Sequence, residues 1–123
     1  MKINTFFAPN HTYDKNTFKA LYDAGISKVI DGYGIMPFKY KNIEFIPQLF
    51  YKLHTLPYGI QSTQLHINYW EEKDFELFEK FVKKNHKKMI NLDFAFSKIS
   101  NNYFLKIINI ISEYILRFKR LLV

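Results

Sequence analysis

The chain has no cysteine among its 123 residues. That excludes disulfides, thiolate zinc sites and cysteine nucleophiles. It also lacks any uncharged apolar run of the roughly 18 residues that a bilayer-spanning helix requires. The start, Met1-Lys2-Ile3-Asn4, leads into a short strand pattern and not into the apolar stretch of a secretory signal. No Gly-x-Ser-x-Gly elbow, P-loop or dinucleotide-type glycine loop occurs, and Asp31-Gly32-Tyr33-Gly34 is too short to be one. The histidines stand at 11, 54, 66 and 86, so no two share one helix face at the i, i+4 spacing of a metal pair. Only ligands scattered over loops remain open to a metal.

What is present is apolar and aromatic: 48% hydrophobic residues, with 13 Phe and 9 Tyr. This permits one domain with a real core and argues against disorder. The net charge of +7 is a property of the C-terminal part. Residues 1–79 hold eight lysines against nine Asp and Glu, a balance of −1, whereas residues 80–123 hold ten Lys and Arg against two, a balance of +8. Such a basic end suits an anionic membrane surface or a nucleic acid, or is a solvated lysine face.

Along the chain, Ile3 to Ala8 reads as a strand, followed by a helix capped by Thr12 or Asp14, striped by Phe18, Leu21 and Tyr22, and ended at Gly25. Ile26 to Ile30 is a second strand, broken by Asp31-Gly32-Tyr33-Gly34. Pro37 to Asn42 reads as a loop, and Ile43 to Phe50 as a strand interrupted at Pro47. Ile60 to Ile67 is the next strand, either parallel to the others or in a local antiparallel excursion with the Phe45 strand. Glu71 to Lys84 is a helix with acidic residues first, lysines last, and an apolar face of Phe75, Phe78, Phe81 and Val82. Met89 to Leu92 is expected to be a short last strand, with Asp93 capping a helical turn through Phe96. After a joint at Asn101-Asn102 comes a long amphipathic helix, its stripe formed by Phe104, Ile107, Ile108, Ile111, Tyr114, Ile115, Phe118, Leu121 and Leu122. Lys106, Arg117, Lys119 and Arg120 lie between or beside them. The order of elements implies an α/β fold with a largely parallel sheet.

Three apolar strands end in polar groups: Ala8-Pro9-Asn10-His11, Ile30-Asp31-Gly32 and Gln64-Leu65-His66. In parallel α/β folds the C-terminal ends of strands carry the chemistry. His11 has the chemistry of a ligand, a base or a substrate contact, and equally of a surface turn. Asp31 can orient a catalytic group, or simply form the turn that Asp-Gly favours. His66, near a strand end, suits a general acid at neutral pH, or a hydrogen-bonded core residue. The last helix either packs on the core, meets a protein partner, or lies on a membrane. Its aromatics follow core periodicity, so nucleic acid is not the expected partner.

In order and placement these segments resemble the C-terminal half of the polysaccharide deacetylase (NodB-homology) family, in its divergent bacterial branch. Phe7 to Asp14, running into the helix that ends at Gly25, resembles the family's third motif, Ile30-Asp31-Gly32 the start of the fourth, and Leu65-His66 the Leu-His of the fifth. The resemblance covers residues 3–95. It implies a partial or distorted (β/α) barrel of the glycoside hydrolase/deacetylase type over residues 1–100, with residues 101–123 as a basic amphipathic helix. It implies a hydrolase of carbohydrate metabolism that removes acetyl groups from sugar amides or esters. Complete members use zinc or another divalent metal to polarise the acetyl carbonyl and activate water. By match, His66 is the catalytic acid and Asp31 its supporting carboxylate, while Pro9, Asn10, His11 and Gly32 line the substrate groove.

The family's Asp-Asp and His-x-x-x-His motifs, which supply base and metal ligands, are absent from the chain and are expected upstream of residue 1. The third-motif arginine is replaced by Ala8. The expectation is therefore a truncated, metal-free segment, inactive alone, linked to surface polysaccharide metabolism and cytoplasmic, at the inner face of the membrane. Its partners would be a carbohydrate, an anionic membrane surface through residues 101–123, and another chain that pairs with open sheet edges. The alternative reading is a small membrane or protein-interaction module that works through the basic helix.

Overall fold

The computed structural model describes residues 3–8 and 12–122. Six short strands and four helices follow in the order β1 (Thr5–Phe7), α1 (Lys15–Asp23), β2 (Lys28–Ile30), β3 (Phe38–Tyr40), β4 (Ile43–Ile46), β5 (Gln48–Phe50), β6 (Ser62–Thr63), α2 (Glu72–Asn85), α3 (Leu92–Ser97) and α4 (Tyr103–Leu121).

Helix α1 starts where a capping box forms. The Asp14 carboxylate accepts from the Thr17 amide at 2.9 Å, and the Asp14 amide donates to the Thr17 hydroxyl at 3.3 Å. It ends in a Schellman arrangement, with Ile26 N–H donating to Leu21 O, Gly25 N–H to Tyr22 O, and Gly25 at φ +71°. Leu21 is buried and Phe18 packs against the same cluster, whereas Tyr22 faces solvent.

The first sheet has the order β1-β2-β4-β3, with β1, β2 and β4 parallel and β3 antiparallel to β4. The second pairs β5 with β6 in parallel. The antiparallel excursion is therefore the β3–β4 hairpin, not a pairing of the Phe45 and Thr63 strands. Residues 37–42, read from the sequence as a loop, supply β3 and its tight turn. Alternation decides which face is buried. Val29 and Phe45, in register, join Leu21 and Ile43 beneath α1. Ile46, on the opposite face, packs with Ala95 and Phe96 of α3. Three layers result, α1 on the sheet on α3. Phe38 stacks on Phe45 at 4.9 Å, and Phe18 meets Phe45 edge-on at 6.2 Å.

Only Pro47 separates β4 from β5. On one side Asp31 N–H donates to Ile46 O and Gln48 N–H to Gly32 O; on the other, Pro47 O accepts from Ser62 N–H at 2.7 Å. The missing proline donor thus falls where β3 has ended and β6 begins, so no ladder bond is lost. The pairing runs on across Pro47, and β1, β2, β4–β5 and β6 all point the same way.

Helix α2 has the expected charge order and runs one residue later than expected at each end, with Glu71 as its cap, Glu72 and Asp74 in its first turn and Lys83 and Lys84 in its last. Met89 to Leu92 is not a strand. A 3-10 turn, His86–Lys88, and three residues without regular structure lead into α3, whose cap is Asn91 and not Asp93: the Asn91 Oδ1 accepts from Phe94 N–H at 2.8 Å. Asp93, in the first turn, lies 3.7 Å from Lys28. Among the described residues, no helix is long and apolar enough to cross a membrane.

Helix α4 starts at an Asn102 side chain that accepts from Phe104 N–H at 2.9 Å. Its docked face is not the apolar stripe of the sequence. Asn109 is buried, with Leu105, Ile108, Ser112, Glu113 and Leu116 half-buried on the same side, whereas Phe104, Ile107, Ile111, Tyr114, Ile115 and Phe118 are exposed. The reason is polar. The Asn109 Oδ1 accepts from Ile35 and Met36 N–H, both at 3.2 Å, and its Nδ2 donates to Met36 O at 3.0 Å.

Candidate functional site

Because β1, β2, β4–β5 and β6 run in parallel, their C-terminal ends form one rim. Ala8 closes β1 fully buried. Pro9, Asn10 and His11, expected in the substrate groove, lie outside the described residues.

Asp31 follows β2 and is 3% exposed. Its Oδ1 accepts from the Gly32 amide at 2.5 Å, so the carboxylate is turned back onto its own loop. Gly32 is required there for conformation: φ is +99°, and a Cβ would stand 3.2 Å from the Phe38 ring. Tyr13, Tyr33 and the α4 residues Glu113 and Arg117 sit around this corner. The Arg117 guanidinium lies 5.4 Å from the centre of the Tyr33 ring and bonds to Glu113 at 2.8 Å. Burial, reinforced by the negative charge of Asp31, pushes the Tyr13 phenol up to about 12, with Arg117 opposing. Tyr13 is thus neutral at any physiological pH.

One strand over, Gln48 links the β2 end to the β6 end. Its amide donates to Gly32 O at 3.1 Å, and its side-chain Nε2 donates to Gln64 Oε1 at 3.1 Å. Gln48 is buried, and its Oε1 has no hydrogen-bond partner among the described residues. Beyond Gln64 and Leu65, His66 opens a 3-10 turn, Ile67–Tyr69. Its carbonyl accepts from Tyr69 N–H at 3.2 Å, and its exposed ring lies near-parallel to Tyr51 at 6.4 Å. Asp31-Gly32 and Gln64 are therefore joined through Gln48, while His66 stands at the open side of the rim beside Tyr51.

Among the described residues, no group of three His, Cys, Asp or Glu could hold a metal ion, and the Asp31 Oδ1 accepts from a backbone donor. A cavity of about 610 Å³ lies elsewhere, between the loop 53–61, α2 and residues 88–90, and none of the sequence-predicted site residues lines it. Its polar groups include His54, Tyr58, Gln61, Asn85 and Lys88.

Sequence reading missed Gln48, Tyr13, Tyr33 and Asn109. Gln48 had one visible signal, an amide placed directly after proline within an apolar strand. The other three are defined by contacts between distant segments and leave no local pattern. No protein-family model, no curated protein and no solved structure matches the chain.

Proposed function

We propose that the chain is the C-terminal part of a polysaccharide deacetylase-like domain, supplying the metal-free wall of a carbohydrate site and inactive alone. One observation carries this reading. Adjacent parallel strands, in the sequential order a barrel segment would have, deliver Asp31-Gly32, Gln48 and Gln64-Leu65-His66 to one rim. On this reading His66, an exposed titratable group at the open side of the rim, is the residue that gives a proton to the leaving sugar amine or alcohol. Asp31 is a positioning residue: buried against Gly32, it holds the loop that Gln48 and Tyr33 extend. Tyr51 offers a ring face for a sugar ring beside His66.

The test is a nitrogen-15 NMR titration of the chain with N-acetylglucosamine oligomers. Shifts confined to residues 31–34, Tyr51 and 64–66, and lost in His66→Ala and Tyr51→Ala, are expected. Shifts confined to the 53–61 cavity, or none at millimolar oligomer, would overturn it. Acetate release by the purified chain with added zinc would overturn the inactivity.

A further inference from the structure

We infer that the outer face of α4 is a docking surface for an anionic phospholipid bilayer, with the helix lying in the plane of the membrane. Around the helix, positions 103, 104, 107, 110, 111, 114, 115, 118, 121 and 122 fall within one arc of about 140° at 100° per residue. Every residue in that arc is apolar or tyrosine, and all are exposed. No charge interrupts it over the whole helix, Tyr103–Leu121.

This arc is not spare core surface. The opposite face already carries the Asn109 bonds to Ile35 and Met36 that fix α4 to the body, and one flank adds Arg117 over Tyr33. A helix that crossed the bilayer would have to give these up. The geometry therefore favours an in-plane helix, half seated on the protein and half free.

Charge selects the occupant. Lys106 stands exposed on one flank of the arc, and the sequence adds Lys119 and Arg120 in the last turns. The only acid in α4, Glu113, is paired with Arg117. Residues 80–123 as a whole carry a balance of +8. A second copy packed parallel and face to face would juxtapose two such cationic ends, at an electrostatic cost. A bilayer with anionic headgroups neutralises the flanks while its acyl boundary takes the arc.

The experiment is flotation of the purified full chain with phosphatidylcholine vesicles and with phosphatidylcholine–phosphatidylglycerol vesicles. The chain is expected to float with the anionic vesicles, less with the neutral ones, and less at high salt. Ile111→Asp/Phe118→Asp should lower partitioning by at least about tenfold, with unchanged far-ultraviolet circular dichroism because both side chains are exposed. Lys106→Glu should weaken binding to the anionic vesicles alone, and it tests the proposal even if the double variant misfolds. Three outcomes overturn it: a wild type that stays out of the anionic vesicle fraction, equal flotation of wild type and both variants, or an α4 face sealed by a dimer that persists with the vesicles present.

Discussion

Asn109 grips Met36 as a neighbouring strand would, accepting from its N–H at 3.2 Å and donating to its carbonyl at 3.0 Å. A single side chain on α4 thereby completes backbone hydrogen bonding in the loop after β2, the loop that begins with Asp31. Asn109→Ala would leave the Ile35 and Met36 amides without this acceptor, and is expected to cost about 3 kcal/mol in urea denaturation. Asn109→Asp keeps the acceptor but loses the donor, and should fall between. A loss below about 0.5 kcal/mol in Asn109→Ala would mean that water replaces the clamp.

Gly34 tests the same contact from the other side. A Cβ there would stand 3.2 Å from Asn109 Oδ1 and 3.4 Å from Pro47 Cγ. Gly34→Ala should therefore destabilise the protein, and do so much less when Asn109 is already Ala. A double-mutant cycle with a coupling of about 1 kcal/mol is expected; strictly additive effects would refute the packing relation.

Gly59 is fixed more harshly. Its φ is +106°, and a Cβ would collide with the carbonyl oxygen of Ile35, which accepts from Ile60 N–H at 2.8 Å. Gly59→Ala should cost on the order of 3 kcal/mol or more, and shift NMR signals at Ile35 as well as in its own loop. Wild-type thermal stability in this variant would exclude the close approach.

Lys41 takes φ +53° in the β3–β4 turn, a region that suits Asn or Gly better. Lys41→Asn is expected to raise stability by about 0.5–1 kcal/mol, read as a higher melting temperature. An unchanged or lower value would show that the lysine ammonium, 5.5 Å from the centre of the Tyr40 ring, offsets the strain.

Tyr13 makes stability depend on alkaline pH. Its folded pKa, near 12, lies above the ordinary 10.0, so between these values the unfolded chain has released a proton that the folded chain keeps. The stabilisation is present in full below pH 10 and is lost as pH climbs toward 12. Wild type should therefore lose more stability over that window than Tyr13→Phe, and difference absorbance should place the Tyr13 ionisation last. Parallel pH profiles for the two proteins would exclude the burial assigned to this phenol.

Local physics was legible where it was local. The Asp14 cap, the Gly25 terminus, the charge order of α2 and the interruption at Pro47 all follow from neighbours in sequence, and each stands where the pattern put it. The polar end of β2 at Asp31-Gly32 was legible for the same reason, whereas β6 stops at Thr63 and leaves His66 to open a 3-10 turn instead of ending a strand. The hairpin of β3 was not, because its turn uses a left-handed lysine instead of glycine. The orientation of α4 was hidden more deeply. Its most apolar arc faces outward, and the face that docks is selected by an amide whose partners lie 73 and 74 residues away. Periodicity ranks faces by hydrophobicity and has no access to such bonds.

Pro47 partitions the chain in time as well as in space. Everything that pairs in the first sheet lies between residues 5 and 46, in short hops closed at small entropic cost. The β6 pairing must wait for residues 62 and 63, and the clamp on Met36 for residue 109. During synthesis every residue of the first sheet therefore leaves the ribosome before α4 does, and the loop after β2 gains its Asn109 contacts only when that helix follows.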